Sequence, residues 1–219
     1  MRSRIMSGLM IVLLVLFTVS AVVAKGSRTT RAAVLMVNEG STNAAAFHDA
    51  MRKLWEDHIT WTRLFIVSAV GNLPDRGDTT DRLLQNQVDI GNAIKPYYGD
   101  AAGEKLTALL KTHITTAAEV VAAAKANDTA KMADANKRWY ANADEIAAFL
   151  SGANPKSWPR AEMTQMMHEH LDLTTAEVVA HLKGIWADDI AAYDKAHGQI
   201  LQMADMLSAG IVKQYPAKF

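Results

Sequence analysis

Apolar residues recur at intervals of three and four along most of the chain, which is the spacing of one face of an α-helix. Around His113, for example, one stripe holds Leu106, Leu109, Leu110, His113 and Ala117. No stretch alternates apolar and polar residues in the way that a half-buried strand does. The sequence therefore predicts an all-α protein.

Prolines and glycines divide this pattern into six predicted helices. The five prolines all fall between helical runs or at their ends, where a missing N–H does little harm: Pro74, Pro96, Pro155, Pro159 and Pro216. The predicted helices cover about 42–70, 79–95, 100–127, 128–151 and 159–184, and the sixth continues to about 214. Because connections this short make neighbouring helices antiparallel, we expect a six-helix bundle of three consecutive antiparallel helical hairpins.

The amino-terminal segment has a different character. Arg2 and Arg4 precede Gly8–Ala24, a long apolar run without a charge. A basic start, an apolar centre and small residues near Ala24 are typical of a signal peptide, and the run also reaches the short limit of a membrane-spanning helix. We expect residues 1–24 to be a signal peptide or an N-terminal membrane anchor, 25–41 a stalk, and 42–219 the helical-bundle domain.

The charge pattern around this segment sets the expected location. Short basic amino termini usually stay inside the cell, which predicts a cell-membrane protein whose domain lies on the extracytoplasmic side. Secretion after cleavage near Ala24 is one alternative. A cytoplasmic domain on an inverted anchor is another, because Lys25, Arg28 and Arg31 weaken the charge bias.

Composition excludes several classes of function. The chain has 23 basic and 23 acidic residues, and without the first 24 residues the balance becomes 21 against 23, so no basic nucleic-acid footprint is present. The absence of cysteine excludes disulfides, thiolate chemistry and iron–sulfur clusters. Neither a Gly-x-Ser-x-Gly motif nor a glycine-rich phosphate loop occurs.

Three histidines recur in similar settings: His58-Ile-Thr, His113-Ile-Thr and His170-Leu-Asp. They are separated by nearly equal intervals, which indicates a repeated helical hairpin. Each lies on the apolar stripe of its predicted helix, so we expect all three to face inward. A buried imidazole needs a partner for each ring nitrogen.

Aspartates are the expected partners. One follows each histidine at a similar interval, at Asp89, Asp144 and Asp205. In the last hairpin, the distance from the turn favours Asp194 or His197 over Asp205, so all three remain candidates there.

Two interpretations of these residues compete. In the first, each hairpin holds a structural His–Asp hydrogen bond that fixes its register. In the second, His58, His113 and His170 bind a transition metal ion such as copper, zinc or iron. The auxiliary ligands or outer acceptors would then be Asp89, Asp144 and Asp205, with Glu177 as a further group beside His170. The methionines of the last hairpin favour copper, although methionine is also a common filler of helical cores.

Four runs resemble a family of uncharacterised bacterial all-helical proteins, over most of residues 45–216. They are HITWTR at 58–63, LQNQVDI at 84–90, WYANADEIA at 139–147 and HLDLTTAEVVA at 170–180. Some members are labelled acetylglutamate kinase, a label that would require an α/β fold with glycine-rich phosphate loops. The resemblance implies a helical fold and carries no established activity.

These observations predict a membrane-anchored, extracytoplasmic, non-catalytic bundle with an inward His/Asp cluster that binds a metal ion. The alternative is an accessory or scaffolding subunit of a membrane-associated complex, with a protein partner or a second copy of the chain, in which the His/Asp pairs are structural. A third class is a metal-dependent enzyme, which would need an open coordination position.

Overall fold

The computed structural model describes the backbone of residues 28–219 and the side chains of residues 42–219. Residues Asn38–Phe219 form one compact unit, which is the helical domain. The expected leader, residues 1–24, lies outside the described residues. Within 28–219, no helix combines the length and the apolar character that crossing a membrane requires.

Six α-helices and no strand form the described part of the chain, which confirms the all-α class. The helices are α1 (Arg28–Gly71), α2 (Arg76–Tyr98), α3 (Asp100–Lys125), α4 (Thr129–Ala153), α5 (Arg160–Leu182) and α6 (Trp186–Gln214), and a 3-10 turn follows at Pro216–Lys218. Local sequence explains several boundaries. Asp128 caps α4 by accepting a hydrogen bond from the Lys131 amide at 3.0 Å, and Gly184 ends the α5 region with a φ of 68°.

Two boundaries differ from the prediction. Helix α1 begins at Arg28, so residues 28–41, expected as a stalk, have helical backbone. Helix α2 continues through Pro96 to Tyr98 instead of ending before the proline. Tyr97 packs against Phe47 and Phe219, with ring centroids 5.1 and 5.4 Å away, and this tertiary packing extends the last turn of α2 despite the missing N–H.

Short turns make consecutive helices antiparallel and give the bundle two ends. We call the end with turns 72–75, 126–128 and 183–185 the distal end, and the end with residues 99, 154–159 and the carboxyl terminus the proximal end. Side-chain bonds between α1 and α6 close the bundle: both His48 Nε2 and Arg52 Nη1 contact Asp205 Oδ1, at 2.9 and 2.5 Å. One bundle thus contains all six helices of residues 42–219.

Helices α2 and α3 are in close backbone contact at two glycines. A Cβ atom on Gly91 would lie 2.6 Å from the Gly103 carbonyl oxygen, and one on Gly103 would lie 2.6 Å from the Gly91 oxygen. Only glycine fits at such a backbone-to-backbone contact.

The core contains two hydrophobic clusters. The larger cluster includes Trp55, Ile90, Ile146 and Met203, and it fills most of the bundle. The smaller cluster lies toward the distal end and consists of Phe65, Ile66, Ala69, Leu83, Ile114, Val121 and Val178.

The exposed large apolar side chains of the described residues share one location. They lie in the distal turns or within two helical turns of them: Leu64, Leu73, Met132, Val179, Ile185, Trp186 and Ile190. Trp186 is the most exposed of them, at 59%. At the proximal end, the rings of Phe47, Tyr97, Tyr215 and Phe219 pack against one another.

Candidate metal centre

Three imidazoles meet at one level of the core. His58 in α1, His113 in α3 and His170 in α5 are each at most 4% exposed, and each lies at nearly the same distance before the distal end of its helix. The ring centroid of His170 is 5.8 Å from that of His58 and 6.2 Å from that of His113. The structure therefore confirms that the three histidines face inward, and it brings them together.

The partners of these histidines are amides. Gln87, Asn142 and Gln199 follow the three histidines at one identical separation along the chain. Asn142 Oδ1 is 2.9 Å from His113 Nδ1, Gln87 Nε2 is 3.3 Å from His58 Nδ1, and Gln199 lies beside His170. One imidazole and one amide thus recur in each hairpin.

The amides also bind the backbone of the neighbouring helix. Asn142 Nδ2 donates to the Leu109 carbonyl at 3.2 Å, and Gln199 Nε2 donates to the Met166 carbonyl at 3.0 Å. In the first hairpin Asn86 has this role, because its Nδ2 donates to the Leu54 carbonyl at 2.9 Å. Each accepting carbonyl lies about one helical turn before a core histidine, so the three hairpins share one pattern of hydrogen bonds.

Two ring nitrogens of these histidines are among the fully buried side-chain atoms of residues 42–219 that have no hydrogen-bond partner. They are His113 Nε2 and His170 Nδ1, and both are buried. Because the Asn142 oxygen can only accept a hydrogen bond, His113 Nδ1 carries the ring proton. In the neutral ring, His113 Nε2 is then a free lone pair.

Burial keeps all three rings neutral. The pKa values of His58 and of His113 are lowered to about 3, mainly by burial and also by the nearby rings. Burial also lowers the pKa of His170 to about 4, against the opposing effect of Gln199. Neutral imidazole is the form that binds metal ions, so these rings are available as ligands at physiological pH.

The surroundings of the rings are apolar. The three histidines line a cavity of about 30 Å³, which is large enough for one water molecule or one ion. Met51, Met167 and Met203 line the same cavity, together with Trp55 and Trp158. No carboxylate is among its lining residues.

The predicted His–Asp pairs are wrong. Asp89 accepts from Gln85 Nε2 at 3.1 Å, Asp144 pairs with His168 at 2.9 Å, and Asp205 pairs with His48 and Arg52. The side chains of the three aspartates are 36%, 47% and 44% exposed. Because solvating a carboxylate is far cheaper than burying it beside a neutral ring, the aspartates lie on the outer faces of their helices.

The other candidates of the last hairpin also lie outside the site. Asp194 is exposed, and His197 is partly buried with its Nε2 at 3.4 Å from Glu56 Oε1. The amide of Gln199 takes the position beside His170 that was expected for one of them.

Glu177 is buried but belongs to a second polar cluster nearer the distal end. Arg63 Nη1 donates to Glu177 Oε1 at 2.9 Å and also to Asp189, while Arg63 Nη2 donates to Asp189 Oδ2 at 2.7 Å. His181 Nδ1 lies 2.8 Å from Asp189 Oδ2. Burial raises the pKa of Glu177, whereas the Arg63 guanidinium lowers the pKa of Asp189. Glu177 thus pairs with Arg63 through Oε1, its Oε2 is buried without a partner among the described residues, and the residue does not line the cavity beside His170.

These placements limit the ligand sets that the predicted residues can form. Within residues 42–219, no three or more His, Asp or Glu side chains are grouped so that they could hold a metal ion together. The predicted set of histidines and carboxylates does not assemble, and what remains is a cluster of imidazoles with two unpartnered nitrogens.

The sequence contains a repeated histidine–amide spacing that the prediction of histidine–aspartate pairs did not use. The separation between a histidine and its amide is identical in all three hairpins, whereas the separation from the aspartates is not. Asp189 and His181 do not recur at an equal separation in the other hairpins, so the sequence does not indicate that they contact Arg63. Only the fold brings these three residues together. No protein-family model matches the chain, and no curated protein sequence or solved structure is detectably similar to it.

Proposed function

We propose that this protein is a non-catalytic helical bundle that binds a transition metal ion at its buried imidazoles. The observation that carries the proposal is the pair of unpartnered nitrogens, His113 Nε2 and His170 Nδ1, in adjacent buried rings. An unpaired buried polar atom costs about 1–3 kcal/mol, so stability alone would favour an apolar residue at either position. A bound ion would satisfy both nitrogens.

The burial of the rings supports storage, transfer or structural binding over catalysis. His58, His113 and His170 are at most 4% exposed, and the cavity beside them is about 30 Å³. A catalytic metal needs an open coordination position for a substrate, and a cavity of this size accommodates little beyond the ion itself.

The location of the protein is part of the same proposal. The basic start and apolar run of residues 1–24 favour a domain on the extracytoplasmic side of the cell membrane, retained by this segment or released after its cleavage. The neutral balance of the chain agrees with a role that involves no nucleic acid.

Elemental analysis of the full chain tests the metal proposal. The protein would be extracted in detergent without chelator and without an affinity tag that contains histidine. We expect close to one transition metal ion per chain, and we expect the ion to be lost from the variant His58→Gln/His113→Gln/His170→Gln.

A matched variant controls for non-specific binding by surface imidazoles. His48, His168 and His197 are partly exposed, so the variant His48→Gln/His168→Gln/His197→Gln should keep the ion. Absence of metal from the wild-type protein after growth in, and dialysis against, each candidate ion would contradict the proposal. Equal loss from both triple variants would contradict the assignment to the core.

A second candidate function is supported by the distal end. The exposed large apolar side chains of the described residues gather there, and Trp186, Ile190 and Ile185 are 59%, 55% and 45% exposed. Patches of this kind mark protein–protein contacts. This favours an accessory subunit that binds a protein partner, or a second copy of the chain, through its distal end.

Site-specific crosslinking in the native cell tests this second candidate. A photoreactive residue at Trp186 should give one discrete product identifiable by mass spectrometry, while the same residue at Lys156, exposed at the proximal end, should not. No product at Trp186, or the same product at both positions, would contradict the candidate.

A further inference from the structure

We infer that the ion of this site is a soft monovalent cation, Cu(I) or its analogue Ag(I), held by His113, His170 and a methionine thioether. The inference rests on the proposed function and names the class of ion. Three observations carry it: the charge of the site, the number of free donors, and the thioethers that share the cavity.

The first observation concerns charge. All three predicted aspartates lie on outer helix faces, and the buried carboxylates of Glu177 and Asp189 are both bonded to Arg63. No carboxylate of residues 42–219 lines the cavity beside the imidazoles, so a metal there would have only neutral ligands. Because the Born cost of burying an ion grows with the square of its charge, a divalent ion costs about four times as much to bury here as a monovalent one.

The second observation concerns the number of donors. No group of three or more His, Asp or Glu side chains within residues 42–219 is arranged to hold an ion. Structural zinc takes four protein ligands and catalytic zinc takes three, so the site provides too few of them for zinc. Two imidazole nitrogens without a partner and one thioether form the small, soft donor set that suits Cu(I).

The spacing of the two rings fits an ion between them. A nitrogen lies about 1.1 Å from the centre of an imidazole and bonds a metal at about 2.0 Å, so two such ligands hold their centroids at most about 6 Å apart. The observed separation of the His113 and His170 centroids is 6.2 Å. The two ring planes differ by 26°, so binding one ion requires the rings to turn their unpartnered nitrogens toward each other.

The third observation concerns the methionines. Met167 precedes His170 by one helical turn, and Met203 lies one turn beyond Gln199 on α6. Both are at most 5% exposed, and both line the cavity that the three histidines line. A thioether and an imidazole in one apolar cavity are the ligands that select Cu(I) among first-row ions. The ring of His58, which is 5.8 Å from that of His170, would line another side of the ion site.

Competitive titration of the full chain in detergent with Ag(I) and with Zn(II) tests this inference, because neither probe ion changes its oxidation state. We expect one Ag(I) per chain and Zn(II) binding weaker by at least about 100-fold, as a soft neutral donor set requires. X-ray absorption of the silver complex should show both nitrogen and sulfur neighbours.

Methionine variants test the thioether ligands. Leucine preserves most of the volume of methionine, so Met167→Leu/Met203→Leu should keep the fold. Changes in outer-shell groups already cost on the order of 10–100-fold in metal affinity, so loss of a ligand should lower the Ag(I) affinity at least that much. Met132→Leu is the matched control, because Met132 is 38% exposed at the distal end and should leave the affinity unchanged.

The outcomes separate this inference from the proposed function. Tight Zn(II) binding that requires the core histidines, with weak Ag(I) binding, would overturn the ion class and leave the metal proposal standing. No binding of either ion by natively helical protein would overturn both. Nitrogen-only coordination of silver, or unchanged affinity in the methionine variant, would overturn the thioether ligand.

Discussion

His113 Nδ1 and Asn142 Oδ1 lie 2.9 Å apart in the core, across the hairpin of α3 and α4. The same Asn142 side chain donates from Nδ2 to the Leu109 carbonyl at 3.2 Å. One amide therefore fixes the orientation of an imidazole and the packing of two helices at the same time. It also determines that His113 Nε2, and not Nδ1, is the ring nitrogen without a proton.

Replacing Asn142 by alanine should destabilise the bundle strongly. The substitution leaves the buried His113 ring proton without a partner, which costs about 1–3 kcal/mol, and it removes a second hydrogen bond from the Leu109 carbonyl, worth about 1 kcal/mol. We expect the free energy of unfolding, measured by urea denaturation with circular dichroism, to fall by about 2–4 kcal/mol. Asn92 is exposed on α2, so Asn92→Ala should change it by less than about 0.5 kcal/mol. Equal losses in the two variants would contradict the role of Asn142.

Acid should destabilise the protein through its core histidines. The folded-state pKa values of His58 and His113 are about 3 and that of His170 is about 4, all below the ordinary value of 6.5. Between pH 6.5 and pH 4 the unfolded chain binds protons that the folded chain does not, so stability falls as the pH falls. Each such proton contributes about 1.4 kcal/mol per pH unit.

Comparison with a variant isolates this effect from the carboxylates, several of which also lose stabilising interactions in acid. The free energy of unfolding would be measured at half-unit steps from pH 7 to pH 4 for the wild type and for His58→Gln/His113→Gln/His170→Gln. The wild-type curve should be the steeper of the two below pH 6.5. Parallel curves would show that the rings are not neutral in the fold.

Removing the positive charge of Arg63 should be costly. Arg63→Met leaves Glu177 and Asp189, which are 0% and 1% exposed, without their shared cation. Breaking a buried ion pair from one side costs about 3–5 kcal/mol. Arg138 forms exposed pairs with Glu119 and Asp134, so Arg138→Met should cost far less in the same thermal or urea measurement. A small loss for Arg63→Met, similar to this control, would mean that the carboxylates find other partners.

Two glycine substitutions should have opposite effects. In Gly91→Ala the new Cβ atom clashes with Thr107 Oγ1 and with the Gly103 carbonyl, so α2 and α3 must separate. Overpacking of this kind costs about 1–3 kcal/mol. In Gly198→Ala the new atom meets nothing within 4 Å in the middle of α6, so stability should rise by about 0.5–1 kcal/mol. Midpoints of urea unfolding would test both, and a stabilised Gly91→Ala protein would contradict the close helix contact.

The sequence predicts the helices and the inward histidines for a simple reason. A residue on an apolar stripe faces the core whatever its own polarity, and His58, His113 and His170 all lie on such stripes. The boundary at Tyr98 differs from the prediction because tertiary packing, such as that of Tyr97 on Phe47, overrides the local proline signal.

The predicted partners are wrong because of helix rotation and charge. Gln87 and Asp89 are two positions apart, which is a rotation of about 200° around a helix, so an inward amide places the aspartate outside. The same holds for Asn142 and Asp144. Facing the histidines, a neutral amide also avoids the desolvation penalty that a carboxylate would incur. The repeated spacing of histidine and amide therefore predicts the partners of the core histidines better than the chemical attraction of histidine for aspartate does.

The division of the core into two clusters has a consequence for how an ion reaches buried rings. The cluster on the distal side of the histidines contains only a few buried residues, from Phe65 to Val178, while the other cluster fills most of the bundle. Regions with few buried apolar contacts open at a lower free energy than the whole fold. The distal part should therefore open and close as a unit while the rest stays folded, and its amide hydrogens should exchange with solvent first. Entry of an ion would then be gated by this local opening.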